Sequence, residues 1–156
     1  MRNSSSVKED FTLWVLLRQA KDTVFKATEK ELRQYGISPE EAGVLSIVQS
    51  LDNKATPAEI SRWLLREPHT VSGILSRMEK KGLIRKTKDL DRKNLVRVTL
   101  TEKGQQACYQ STKIESIGKI MSCLSEEKCQ QLIPCLKALR DRALKVLGID
   151  QEPPFP

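Results

Sequence analysis

The sequence predicts a mainly α-helical fold with a small β-hairpin: a winged helix-turn-helix with terminal dimerisation helices. Three observations predict it. Residues 56–101 read as two short helices followed by a basic two-stranded hairpin. The excess charge sits on that stretch. Between Arg62 and Arg97, eleven Lys/Arg stand against four Asp/Glu, which equals the +7 of the whole chain, so the other 120 residues sum to zero. The flanking helical segments are too apolar to be mere arms, and a second copy of the chain is the simplest cover for them.

The elements follow in order. Residues 1–9 are expected as a disordered leader, 10–148 as one domain and 149–156 as a tail. Within the domain, the reader is 55–101 and the dimerisation parts are 10–35 and 102–148. A long helix over 10–35 ends at Gly36; its apolar residues, among them Phe11, Trp14, Leu17, Val24 and Leu32, cover more than one face near the start. Ser38-Pro39-Glu40-Glu41 opens the next helix with a capping box, and Val44, Leu45, Ile47, Val48 and Leu51 form its core face. Asp52-Asn53-Lys54 is a polar turn.

Thr56-Pro57-Ala58-Glu59 starts a third helix, with a capping threonine, proline at the first helical position and glutamate to complete the box. Ile60, Trp63 and Leu64 give it one apolar stripe. After a break at 65–67, Pro68 starts a fourth helix. It turns Val71, Ile74, Leu75 and Met78 inward and leaves His69, Thr70, Ser72, Gly73, Ser76, Arg77 and Lys80 outside. Gly82 supplies a left-handed stop. Residues 83–87 read as a strand, 88–94 as a charged tip and 95–100 as the returning strand. Thr101 caps a long helix carrying Ile114, Ile117, Ile120, Met121 and Leu124 inward. Ser125-Glu126-Glu127 caps the last helix, with Leu132, Ile133, Leu136, Leu139, Leu144 and Leu147 inside. Pro134 should kink or interrupt it, Gly148 ends it, and the proline-rich tail from 151 should fray.

Composition excludes several functions. With 38% apolar and 30% charged residues the chain folds and is not disordered. Aromatics make up 4%, too few for a base-stacking platform. No stretch approaches a membrane span and the N-terminus lacks an apolar signal region, so a cytoplasmic location without membrane attachment is expected. Cys108, Cys123, Cys129 and Cys135 form no CxxC pair, and the one histidine, His69, is remote from them, so no metal or other cofactor is expected. The plain reading of the cysteines is small buried side chains; redox sensing is the alternative and would need an exposed, acidified thiol. No nucleophile–histidine pair, Gly-rich phosphate loop or metal-spaced cluster points to catalysis, and the Glu40-Glu41 and Glu126-Glu127 pairs are helix starts.

The positive field on the helix-turn-helix and hairpin is the footprint of a DNA-backbone binder. On the fourth helix, His69, Thr70, Ser72, Ser76 and Arg77 are candidate base readers, and Gly73 permits close approach; each is otherwise an ordinary exposed helix residue, with an intramolecular ion pair the alternative for Arg77. Arg66, Lys80, Arg85 and Lys88 are candidate phosphate contacts, with pairing to Glu67 the alternative for Arg66. On the tip, Arg92, Lys93 and Asn94 can reach a minor groove. Asp91 either orients a basic neighbour or holds the turn.

The chain resembles the MarR (multiple antibiotic resistance regulator) family over about 10–148. Three stretches carry the likeness: Thr56-Pro57-Ala58-Glu59-Ile60-Ser61; residues 70–84, from the recognition helix into the first strand; and Asp91-Arg92-Lys93 followed by Val98-Thr99-Leu100-Thr101-Glu102-Lys103-Gly104. The resemblance implies a homodimer with interlocked terminal helices, recognition helices in successive major grooves of a pseudo-palindromic duplex, wings in the minor grooves, and release by a small-molecule effector. It implies an effector pocket between the first, second and fifth helices, where Trp14, Leu17, Val48 and Tyr109 either line a cavity or are plain core. Lysine at 93 stands where the family often has arginine, a point charge in place of a planar fork. The expected function is a sequence-specific transcriptional repressor; the alternative is a winged-helix module that docks a protein and not DNA.

Overall fold

The computed structural model describes residues 4–89, 91–92 and 94–155. Its element order matches the expected one through the hairpin, after which three helices stand where two were expected. Helix α1 spans Ser4–Gln34, so residues 4–9, expected as a leader, are helical. It ends where Gly36 takes φ +72° and the Ile37 N–H returns to the Leu32 carbonyl, 3.3 Å away. Helix α2 (Pro39–Ser50) starts with the full Ser38/Glu41 capping box and α3 (Pro57–Leu64) with the Thr56/Glu59 box. Helix α4 (Pro68–Lys80) follows across a left-handed Leu65, and Gly82 at φ +73° turns the chain into β1 (Ile84–Lys88). Strand β2 (Val96–Leu100) pairs antiparallel with β1, Ile84 opposite Leu100 and Lys88 opposite Val96.

The core lies where α2, α3, α4 and the hairpin meet. Val44, Leu45, Val48, Ile60, Val71, Leu75, Met78 and Val98 are all buried, so the four inward residues expected on α4 include its anchors. The α2–α3 turn is stitched to β2: the Val98 N–H donates to the Ala55 carbonyl at 2.8 Å and the Leu100 N–H to Asn53 Oδ1 at 2.9 Å.

The long helix expected after Thr101 is broken into α5 (Glu102–Ser111) and α6 (Glu115–Met121). At the break, the Ser111 and Thr112 hydroxyls donate to the Cys108 and Tyr109 carbonyls, each at 2.7 Å, taking up carbonyls of the last turn. Ile114 turns inward and is buried. The restart is capped from α1: the Glu31 carboxylate accepts the N–H groups of Glu115 (2.6 Å) and Ser116 (2.9 Å) and the Ser116 hydroxyl (2.7 Å). Those bonds, the Ser116 hydroxyl foremost, hold the Glu31 pKa below the usual glutamate value.

Helix α7 (Glu126–Val146) runs through Pro134 without interruption. Proline removes one N–H, and the carbonyl left without that partner belongs to Gln130, an exposed residue. Of the six leucines and isoleucines expected inside α7, only Leu144 is buried; Leu132, Ile133, Leu136, Leu139 and Leu147 are exposed in the single chain. Phe11, Leu13, Trp14, Leu16 and Leu17 on α1 are likewise uncovered, as are Ile117 and Met121. The tail does not fray. Phe155 packs against the core with its ring 6.1 Å from that of Trp63, edge to face, and Gln151 accepts a hydrogen bond from Arg62. Among the described residues, no helix is long and apolar enough to cross a membrane.

Candidate nucleic-acid interface

The outer face of α4 is built as its sequence pattern requires. His69, Thr70, Ser72, Arg77 and Lys80 are exposed, and Gly73 and Ser76 half-buried. Glu67 stands at the N-cap without a side-chain capping bond, so the first turn's N–H groups are not capped by it. His69 Nε2 lies 3.4 Å from the Thr70 hydroxyl. A Cβ on Gly73 would come only to 3.8 Å from the Arg77 guanidinium, so glycine here is not demanded by crowding within the chain.

The structure separates the eleven cations between Arg62 and Arg97 into two sets. Four are held. Lys81 binds Glu41 at 2.8 Å, Lys86 lies 3.7 Å from Glu79, Arg97 binds Asp89 at 2.9 Å, and Arg62 binds Gln151. Six are exposed and make no ion pair among the described residues: Arg66, Arg77, Lys80, Arg85, Lys88 and Arg92. Neither the pairing of Arg66 with Glu67 nor an ion pair for Arg77 is formed among them. Lys93, expected on the wing tip, lies outside the described residues.

The wing tip is organised by Asp89, which sequence reasoning passed over. Its Oδ1 accepts the N–H groups of Asp91 (2.9 Å) and Arg92 (3.2 Å), and its Oδ2 accepts from Arg97 Nε (2.9 Å). The Asp91 N–H, then the Arg97 guanidinium, hold the Asp89 carboxyl below the usual aspartate range. Arg97 also donates to the Lys54 carbonyl at 2.6 Å, tying the wing to the α2–α3 turn. The turn-holding role weighed for Asp91 therefore falls to Asp89, while Asp91, Arg92 and Asn94 are exposed at the tip. The signal was present: an aspartate whose side chain can bond the N–H two residues on marks a turn.

The other chemistry is sparse. Cys108 is buried, its thiol pushed up in pKa by burial and bonded to Gln49 at 2.8 Å. Cys123 and Cys135 are exposed and Cys129 half-buried in the single chain, so within one chain the buried reading is met by Cys108. Val48 is core, whereas Trp14, Leu17 and Tyr109 are uncovered in the single chain.

Known proteins agree with this geometry. The family model described as "MarR family" matches residues 35–94, which span α2, α3, α4 and most of the wing. The organohalide-sensing transcriptional regulator RdhR-CbdbA1625, solved with 2,4-dichlorophenol, is 35% identical, with 94% of this chain and 88% of that chain covered and a TM-score of 0.78. MepR of Staphylococcus aureus, solved as a DNA complex, is 25% identical over 82% of this chain and 96% of its own, with a TM-score of 0.71. Escherichia coli MarR with operator DNA, 20% identical over 84% and 95%, shares the fold with a TM-score of 0.74. No curated protein sequence matches the chain.

Proposed function

The chain belongs to the MarR family of winged-helix transcriptional regulators and is not an enzyme, and on that premise we propose that it is a homodimeric repressor of a pseudo-palindromic operator, released by a small aromatic effector. The observation that carries the DNA reading is the set of six exposed cations on α4, the turn before it and the wing that make no ion pair among the described residues. In this reading His69, Thr70, Ser72, Ser76 and Arg77 face base edges beside Gly73. Arg66, Lys80, Arg85 and Lys88 take phosphates. Asp91, Arg92, Lys93 and Asn94 form the tip in the minor groove. The protein-docking alternative gains no support from a face this basic.

The dimer rests on the uncovered apolar faces of α1 and α7. Residues 10–35 and 102–148 are its dimerisation parts and 55–101 its reader. The effector class rests on likeness to the regulator solved with 2,4-dichlorophenol. A cytoplasmic location goes with a DNA target.

A band shift on the DNA upstream of its own gene, repeated across salt concentrations, tests the reading. The log of the binding constant should fall linearly with log salt, by about 0.9 per neutralised phosphate. Arg92→Ala and Lys93→Ala together should lower that slope while the fold persists. Wild-type affinity and slope in the double variant would remove the wing from the interface. Light scattering should give a dimer without DNA; a folded monomer at micromolar concentration would refute the assembly.

A further inference from the structure

The end of the recognition helix is gripped from two sides. Lys81, the C-cap of α4, places its Nζ 2.9 and 2.8 Å from the two oxygens of Glu41 and 3.0 Å from the Gly36 carbonyl. An ammonium has three donors, and three acceptors on the protein occupy them, leaving none for a phosphate. The Glu41 side chain is only 3% exposed, and it also closes the α2 capping box by accepting the Ser38 N–H at 3.0 Å. A carboxylate so buried requires its cation, because removing either partner leaves the other charge uncompensated.

From the other side, Lys103 donates to the Lys81 carbonyl at 2.8 Å. The Thr101 hydroxyl donates to the Gly82 carbonyl at 2.6 Å and the Thr101 N–H to Leu83 at 3.1 Å. The α1–α2 joint thus reaches residue 81, and α5, which leads on to α6 and α7, reaches residues 81–83. Contacts from the α1–α2 joint and from α5 converge on residues 81–83.

We propose that Lys81 is a positioning residue and not a DNA contact: with Glu41 it sets the angle of α4 against α2, and so the separation between the two recognition helices of a dimer. The consequence is selectivity for the spacing of half-sites. The proposal rests on the DNA-binding reading above.

The test compares Lys81→Met with Lys80→Met, whose cation is exposed and unheld. Affinity is measured on the upstream operator, on random duplex, and on operators whose half-sites are moved apart or together by single base pairs, each across salt. Lys80→Met should weaken operator and random DNA alike and lower the salt slope by about one for each phosphate no longer neutralised. Lys81→Met should keep the wild-type slope and random-DNA affinity, weaken the operator by about tenfold, and flatten the preference among spacings. Glu41→Gln removes no cation and should give the same flattened preference, which keeps the test open if Lys81→Met fails to fold. A reduced slope with uniform weakening in Lys81→Met would make Lys81 a phosphate contact and overturn the proposal. Unchanged spacing preference in either variant would do the same. A wild-type protein that does not prefer operator to random DNA would instead overturn the functional reading, and the role of Lys81 with it.

Discussion

Gly104→Ala tests how closely α5 must approach the end of α4. A Cβ built on Gly104 would lie 1.9 Å from the Leu83 carbonyl oxygen and 3.0 Å from its carbon. Carbon–oxygen contacts in proteins settle at about 3.3–3.6 Å, and the obstacle is backbone, so no rotamer change relieves it. α5 has to retreat by more than about 1 Å, which stretches the Thr101 and Lys103 bonds to residues 81–83. Losing two such bonds costs about 1–3 kcal/mol, and residual overpacking adds about 1–3 kcal/mol. Alanine is the better helix former by about 1 kcal/mol, which opposes but does not cancel the clash. The net loss is about 1–5 kcal/mol, and with about 2–4 °C per kcal/mol for a chain of this size the melting temperature should fall by roughly 2–20 °C. The assay is thermal unfolding by circular dichroism at fixed protein concentration, because dimer stability depends on concentration. Gly118→Ala is the control: nothing lies within 4 Å of its Cβ, so propensity alone acts and stability should hold or rise. A melting temperature for Gly104→Ala at or above wild type would refute the reasoning, since residues 81–83 would then yield freely.

Asp89→Ala should open the wing tip by releasing the Arg97 side chain and the N–H groups of Asp91 and Arg92; faster amide exchange at residues 91 and 92 is expected, and unchanged protection there would count against the turn. Glu31 has a folded pKa depressed chiefly by the Ser116 hydroxyl, so its contribution is complete above the ordinary glutamate value and is lost as pH falls through the lower folded value. Glu31→Gln should therefore flatten that part of the acid-unfolding curve, and an identical curve would remove Glu31 as the α6 cap. Phe155→Ala in a Trp14→Phe background should shift Trp63 emission to the red and lower stability by about 0.5–1.5 kcal/mol from the missing edge-to-face pair; unaltered emission would show that the tail does not cover Trp63.

Local rules carried the sequence reading as far as they reach. The capping boxes at Ser38 and Thr56, the left-handed glycines at 36, 82 and 148, and the four inward residues of α4 each depend on neighbours within one helical turn. The break at 112–114 does not, because Glu31 lies 84 residues before the helix start that it caps. Pro134 does not interrupt α7: proline lowers helix propensity, yet an exposed helix can leave the orphaned carbonyl to water. The burial expected for α7 is that of a dimer, and within the single chain Leu144 alone of the six residues expected inside is buried.

The charge count shows the same boundary at the site. The eleven cations announce a basic face, but a count cannot tell a cation that meets DNA from one already bound. For three of the four held cations that distinction depends on carboxylates at 41, 79 and 89, whose distances in sequence from Lys81, Lys86 and Arg97 range from 7 to 40 residues, and for Arg62 on Gln151, 89 residues away. Lys80 and Lys81 show how fine the difference is. They are adjacent and chemically identical, and one step along a helix turns the side chain by about 100°. Lys80 stays on the exposed face, while Lys81 reaches a buried glutamate on α2. The charge outline was legible because it is a sum. The division of labour within it was not, because it is set by which residues the fold brings within hydrogen-bond reach.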